Sequence, residues 1–150
     1  MNMSISYQRG VASIPIVMAF GILIVAVAIG VTALSYTEMF AARGSYDSAR
    51  ALTYADAGGR DALERIARND QYACATTNCY TIDMLTNGCA NANACAYVSV
   101  SAGTGTSTDP KIITSQGVSG LSVRTLRASV LFDASQNGQI SSVQWTEITQ

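Results

Sequence analysis

The sequence predicts an α+β protein in which a long N-terminal helix, membrane-spanning in its first half and amphipathic in its second, packs on a small antiparallel β-sheet. Three observations predict it. From Val11 to Leu34 no side chain is charged and nearly all are apolar or small. From Ser35 to Asp70 no proline interrupts the chain, and apolar residues return every three or four positions. Beyond Ala94 the apolar residues alternate, the period of a strand with one face buried.

The first segment sets the membrane expectation. Taken as helix, Pro15 to Leu34 is about 20 residues at ~1.5 Å each, roughly the 30 Å of a bilayer's hydrocarbon core. A secretory signal needs an apolar stretch of only about 7–15 residues before a small-residue cleavage site, so this run is too long for one. Arg9 and the initiating amine precede the span, whereas Glu38, Arg43, Asp47 and Arg50 cancel after it, which orients the N-terminus toward the cytoplasm. Within the span, Gly21, Ala26, Ala28 and Gly30 are small enough to let neighbouring helices approach closely.

The helix is expected to continue without a break. Leu52, Ala55, Gly59, Leu63 and Ile66 form a stripe that can lie on a sheet, and the opposite face carries charge. Asp56–Arg60, Asp61–Arg65 and Glu64–Arg68 are spaced i,i+4 with the acid first, the favourable order on a helix, and read as a solvated face. Asn69 and Asp70 mark the stop, so one helix is predicted from about Pro15 to Arg68.

Four cysteines, Cys74, Cys79, Cys89 and Cys95, crowd into the 22 residues from Cys74 to Cys95. On the far side of a membrane this favours two disulfides, with three connectivities open. A zinc site fits poorly, because the spacings are wrong and no histidine is present. Residues 71–93 read as a stapled loop with a short helix at Ile82 to Leu85. Strands are expected at Ala94 to Val100, Lys111 to Ser115, Leu121 to Asp133 and Gln139 to Thr149, with SAGTGTSTDP a flexible loop between the first two. Leu126, Ala128, Val130 and Phe132 should face the helix, and Val143 and Trp145 should join them. DASQNG places oxygen ligands at Asp133, Ser135 and Asn137 as a calcium loop would, but Gln144 stands where that loop needs glutamate. A hairpin turn through Asn137 and Gly138 is the simpler reading. The domains are thus 1–10, 11–34, 35–69, 70–93 and 94–150.

Composition excludes several functions. Nine basic against ten acidic residues leave no basic footprint for nucleic acid. Histidine is absent and Lys111 is the only lysine, so serine and threonine lack an adjacent base, and no catalysis, cofactor or metal is expected.

Three stretches together resemble type IV pilin-like proteins, in particular minor pilins of the PilX kind and pseudopilins. Arg9, Gly10 and Val11 are similar to the end of a basic leader that a prepilin peptidase cuts after glycine on the cytoplasmic face. Val11 stands where the family prefers phenylalanine or methionine. ALTYADAGGRDAL is similar to the alanine-rich, acidic stretch midway along the family's helix, and SQGVSGLSVRTLRASVLFD to its closing sheet. The resemblance implies a subunit that waits in the inner membrane, is processed between Gly10 and Val11, and enters an extracellular filament through contacts with other pilin subunits. Pro15 occupies the fifth mature position, where most pilins carry glutamate. An unpaired carboxylate is costly in lipid, so its absence points to a minor subunit or to a relative that is never polymerised. After such a cut Ser13 can cap a helix in which Pro15 lies in the first turn, where proline is tolerated. An uncleaved single-pass protein presenting a disulfide-stapled binding or adhesion domain is the alternative, and a tip adhesin whose loops from Cys74 to Cys95 and Ser101 to Pro110 contact a target is a third reading.

Overall fold

The computed structural model of the chain describes residues 13–133 and 138–148. The chain forms two compact units that meet between Ala42 and Arg43. The architecture is α+β. A single helix, α1 (Ser13–Arg68), supplies all the described secondary structure of the first unit and enters the second.

In the second unit α1 lies on one five-stranded antiparallel sheet of β1 (Tyr80–Asp83), β2 (Ala94–Val100), β3 (Lys111–Ser119), β4 (Ser122–Phe132) and β5 (Ile140–Ile148). The order in space is the order in sequence, so the sheet is a plain meander. Its tightest connection is the two-residue loop Gly120–Leu121 between paired Ser119 and Ser122. Gly120 takes a left-handed φ of 57° at the first loop position, as a turn matched to the right-handed twist of the strands requires. The glycine makes the hairpin possible.

Three expectations fail here. Ile82 to Leu85 is not helical: Tyr80–Asp83 pairs with Cys95–Val98 as the edge strand, because Tyr80 and Ile82 alternate onto the core while Thr81 and Asp83 face away. A single wide helical turn lies downstream instead, at Gly88–Ala92, between left-handed Asn87 and Asn93. Leu121 does not begin a strand; it sits 99% exposed at the hairpin tip. β3 in turn runs four residues beyond the expected Ser115, to Ser119.

That extension carries the most intimate contact of the fold. At Gly117 the sheet backbone touches the helix backbone: a Cβ there would lie 1.9 Å from the Ala51 carbonyl oxygen and 2.5 Å from the Ala55 nitrogen. From the helix side, a Cβ on Gly58 would meet Ser115 Oγ at 2.5 Å, and one on Gly59 the Trp145 ring at 2.6 Å. Ala51, Ala55 and Ala62 complete this buried seam. Leu52 and Leu63 of the expected stripe are only half-buried, because the sheet comes too close for large residues along the centre of contact. The larger core side chains, Ile66, Val98, Val100, Ile113 and Val130, gather toward the end of α1 with Phe132 and Val143 beside them. Ala128 and Val130 are buried as expected, whereas Leu126 and Phe132 are partly open and Trp145 packs on Gly59 with one edge in solvent.

The three expected i,i+4 pairs form. Arg60 Nε donates to Asp56 (2.7 Å), Arg65 Nε to Asp61 (2.8 Å), and Arg68 to Glu64. The outer two are solvated, and such pairs contribute little. The middle pair is different: the Arg65 guanidinium lies 4.3 Å from the centre of the Tyr80 ring and roofs the sheet edge. Burial beside the Asp61 carboxylate raises the Tyr80 phenol well above its ordinary pKa. The stretch expected as a flexible loop, Ser101 to Pro110, is folded on itself. The Asp109 carboxylate accepts from the Thr104 N–H (2.9 Å) and hydroxyl (3.1 Å), and Gly105, at φ 78°, packs under Phe132.

Lys111 is only 2% exposed, with Nζ donating to the Tyr72 carbonyl at 3.0 Å. Burial pushes its ammonium below the ordinary lysine value of 10.5, against the pull of Asp70 and Asp109. The unfolded chain therefore keeps this proton at pH values where the folded chain has released it, and stability rises with pH through that window. In denaturant titrations from neutral to alkaline pH, the wild type should gain stability relative to Lys111→Met until the ordinary lysine pKa is passed. A second pair of variants probes the seam. Gly117→Ala should cost at least about 2 kcal/mol, since backbone must move to admit the methyl. Ser115→Ala, which removes a buried hydroxyl without a hydrogen bond among the described residues, should be neutral or slightly stabilising. Thermal unfolding followed by Trp145 fluorescence separates the two.

Candidate functional site

The feature that demands an external partner is the first unit's helix. Thirteen large apolar side chains between Ile14 and Leu34 are each 56–72% exposed. The most apolar window of α1 has a mean hydropathy of 2.8, and none of it is buried within the molecule. The helix is apolar around its whole circumference, so no single partner face would cover it. Removing these side chains from water is worth on the order of 20 kcal/mol at about 1.5–3 kcal/mol each. By length and composition it can cross a membrane once, near the N-terminus.

The polar atoms of this segment make no demands on lipid. Thr32 donates its hydroxyl to the Ala28 carbonyl, Ser35 to Val31 (3.1 Å) and Thr37 to Leu34 (2.8 Å), so each hydroxyl is satisfied one turn back along its own helix. Pro15 falls in the first turn of α1, where the backbone N–H groups have no helical acceptor in any case. No helical hydrogen bond is lost among the described residues.

The small residues sort onto two faces. With about 100° of turn per residue, Gly21 and Ala28 share one side, Ala26 and Gly30 share the other, and Gly21 and Gly30 lie about 180° apart. A Cβ at either glycine would meet nothing within 4 Å. Gly21 leaves a notch walled by Met18, Ile22 and Val25. Helices can therefore come close on two opposite sides. The leader residues Gly10 and Val11 lie outside the described residues, as do Ser135 and Asn137 of the candidate calcium loop. Asp133 is placed at the end of β4, where its N–H donates to the Gln139 carbonyl (2.8 Å) and Gly138 takes a φ of 77°, the geometry of a hairpin connection. Among the described residues no group of three or more metal-ligating side chains comes together.

The cysteines pair as Cys74–Cys79 and Cys89–Cys95. Each closes a short loop, and the chain-entropy effect for loops this small is about 2 kcal/mol apiece. Asp83 braces the second, its carboxylate accepting from the Cys89 N–H at 2.6 Å.

Sequence reasoning missed the residues that follow the span. Tyr36, Met39, Phe40 and Tyr46 are all exposed on α1 just beyond Leu34, and Arg50 stacks 5.5 Å from the ring centres of both Tyr46 and Tyr54. Aromatic rings at the end of an apolar run suit the boundary between hydrocarbon and water. Their position immediately after Leu34 was the available signal.

Compared with protein-family models, with curated proteins and with solved structures, the chain matches none.

Placing a charge in the middle of the span tests its surroundings. Val25→Arg should raise the cost of insertion by about 2.5–3.5 kcal/mol. Alkaline extraction of membranes from expressing cells should retain the wild-type chain and, since the rest of the span outweighs one charge, most of the variant too, with a larger uninserted fraction for the variant. Release of the wild-type chain would show that the helix is not inserted.

Proposed function

We propose that this chain is a structural subunit, a minor one, of a type IV pilus-like or type II secretion-like filament, processed after Gly10 and assembled through its apolar N-terminal helix. The observation that carries the reading is the helix from Ile14 to Leu34: apolar all round, bare, and small on two opposite sides. A helix that only anchors a domain needs lipid contact. One that exchanges lipid for several neighbouring helices benefits from close approach on more than one face. The self-satisfied hydroxyls at Thr32, Ser35 and Thr37 suit both surroundings. The disulfide-bonded, sheet-bearing second unit would remain outside the membrane, with the N-terminus cytoplasmic before processing. Its partners would be prepilin peptidase, inner-membrane lipid and then other pilin subunits. The role is mechanical, and no catalytic step is assigned.

Pro15 supports a minor position. Where most pilins present a carboxylate to a neighbour's amino terminus, this chain presents a residue with neither charge nor hydrogen-bond donor. It would not make that contact as an abundant shaft subunit does. The alternative, an uncleaved anchor that presents a binding domain, is favoured by one observation, a polar cleft walled by the first disulfide loop.

Sequencing the amino end of the native protein, together with assaying sheared surface filaments for it, tests the proposal. A chain starting at Val11, methylated and recovered with filaments, is expected. A chain starting at Met1 or Met3 and confined to membranes would replace the subunit with the anchor.

A further inference from the structure

The Cys74–Cys79 loop has a consequence on the face of the sheet turned away from α1. Val98 and Val100 stand two residues apart on β2, yet they pair with Tyr80 of β1 and with Cys74, an isolated bridge six residues earlier in the chain. Four residues are therefore in excess. The disulfide clamps them into a loop, with Asn78 held in the left-handed conformation at φ 53°. Ala75, Thr77 and Asn78 form a wall above the outward residues of β2, β3 and β4.

Two adjoining hollows result, sharing Ala75, Ser99 and Thr114. The larger, about 390 Å³, adds Asn78, Tyr97, Gln116 and Thr125. The smaller, about 310 Å³, adds Ser101, Ile112 and Arg127. Each is within the size range of small-ligand sites. The side chains of Asn78, Tyr97, Thr114, Gln116 and Arg127 make no hydrogen bond or ion pair among the described residues. Thr125 is only 3% exposed, lines the larger hollow, and its hydroxyl is equally without a partner there. Of these side chains Thr125 is the buried one, and a hydroxyl so placed normally finds a partner within the fold. Around it the half-buried Tyr97, Thr114 and Gln116 and the exposed Asn78 and Arg127 line the two adjoining hollows.

The chemistry of the lining selects the ligand. Hydroxyls and carboxamides both donate and accept, as the hydroxyls of a sugar do, and the Tyr97 ring offers a flat surface for the apolar face of a pyranose. Among the described residues Arg127 is the one charged lining residue and no acid lines either hollow, so a carboxylate is the matching charge. A peptide strand would instead add to a sheet edge through its backbone. This floor crosses β2, β3 and β4, whose backbones are already paired with one another. We propose that the cleft between the Cys74–Cys79 loop and the outer face of β2, β3 and β4 binds an acidic oligosaccharide, a ring stacked on Tyr97 beside Gln116 and a carboxylate on Arg127. This goes beyond filament assembly and holds whether or not the chain enters one.

The test uses the isotope-labelled full chain in phosphatidylcholine nanodiscs, titrated with trigalacturonate, 3′-sialyllactose, neutral maltotriose and sodium acetate while backbone amide shifts are followed. Saturable shifts at Tyr97, Thr114, Gln116 and Arg127 are expected with at least one acidic sugar, and binding about ten-fold weaker or worse with maltotriose and acetate. Gln116→Ala should weaken the acidic sugar by about ten-fold, the worth of one hydrogen bond to a charged or well-placed polar group. Arg127→Gln should erase the preference for acid over neutral sugar. Both variants should keep the wild-type spectrum elsewhere, since neither residue is buried. No saturable shift with either acidic sugar, equal shifts with maltotriose or acetate, or an Arg127→Gln protein that still prefers the acid would each overturn the assignment. N-terminal processing and filament recovery are read separately, so failure of this proposal leaves the subunit reading standing.

Discussion

The sheet-bearing unit depends on one contact, the meeting of two backbones where Gly117 of β3 lies against Ala51 and Ala55 of α1. Close packing without side chains brings in few apolar carbons, so the seam gains from many short dispersion contacts and little from burying large groups. It also fixes position. A helix held off by leucines can slide by a methyl group, whereas one seated on a glycine between Ala51 and Ala55 cannot. Everything that needs the correct face of the sheet follows from that seating, including Arg65 over Tyr80 and Trp145 on Gly59.

The apolar part of α1 obeys the opposite constraint. Its exposed side chains have no intramolecular cover, and its serine and threonine hydroxyls are already bonded to their own helix. Such a segment is indifferent to whether lipid or protein surrounds it, provided water is excluded. That indifference is the physical requirement for a helix that would leave a bilayer and enter a bundle. The two opposed sets of small residues add the close approach that lipid alone would not need.

The disulfides act at the sheet edge, where cohesion is weakest. One holds an excess loop against β2, and the other ties the wide turn at Gly88–Ala92 to the start of the same strand. β1 is only four residues long and would be a poor edge without them. The same clamp raises one wall of the outer cleft, so a device that stabilises the fold also shapes its most convergent polar surface.

Local pattern was enough for much of this. The uncharged run from Val11 to Leu34, the i,i+4 acid–base spacings and the alternation in β4 each depend on neighbours within a turn or a strand, and each is legible from residue order alone. β2 was legible to the residue, from Ala94 to Val100. What residue order could not supply was set by distant partners. Tyr80–Asp83 became a strand because β2 offered it an edge, although its last two residues open the stretch Ile82 to Leu85 that reads locally as a short helix. The centre of the helical stripe moved from Leu52 and Leu63 to Ala51, Gly58 and Ala62 because Gly117, some sixty residues on, approaches too closely for anything larger. Disulfide pairing and the cleft over β2, β3 and β4 likewise exist only once the meander has closed. The sequence by itself determined which segments bury apolar surface and with what period, because those properties are local. Only the tertiary structure decided which small residues touch and which polar residues converge, because those depend on the register between segments far apart in the chain.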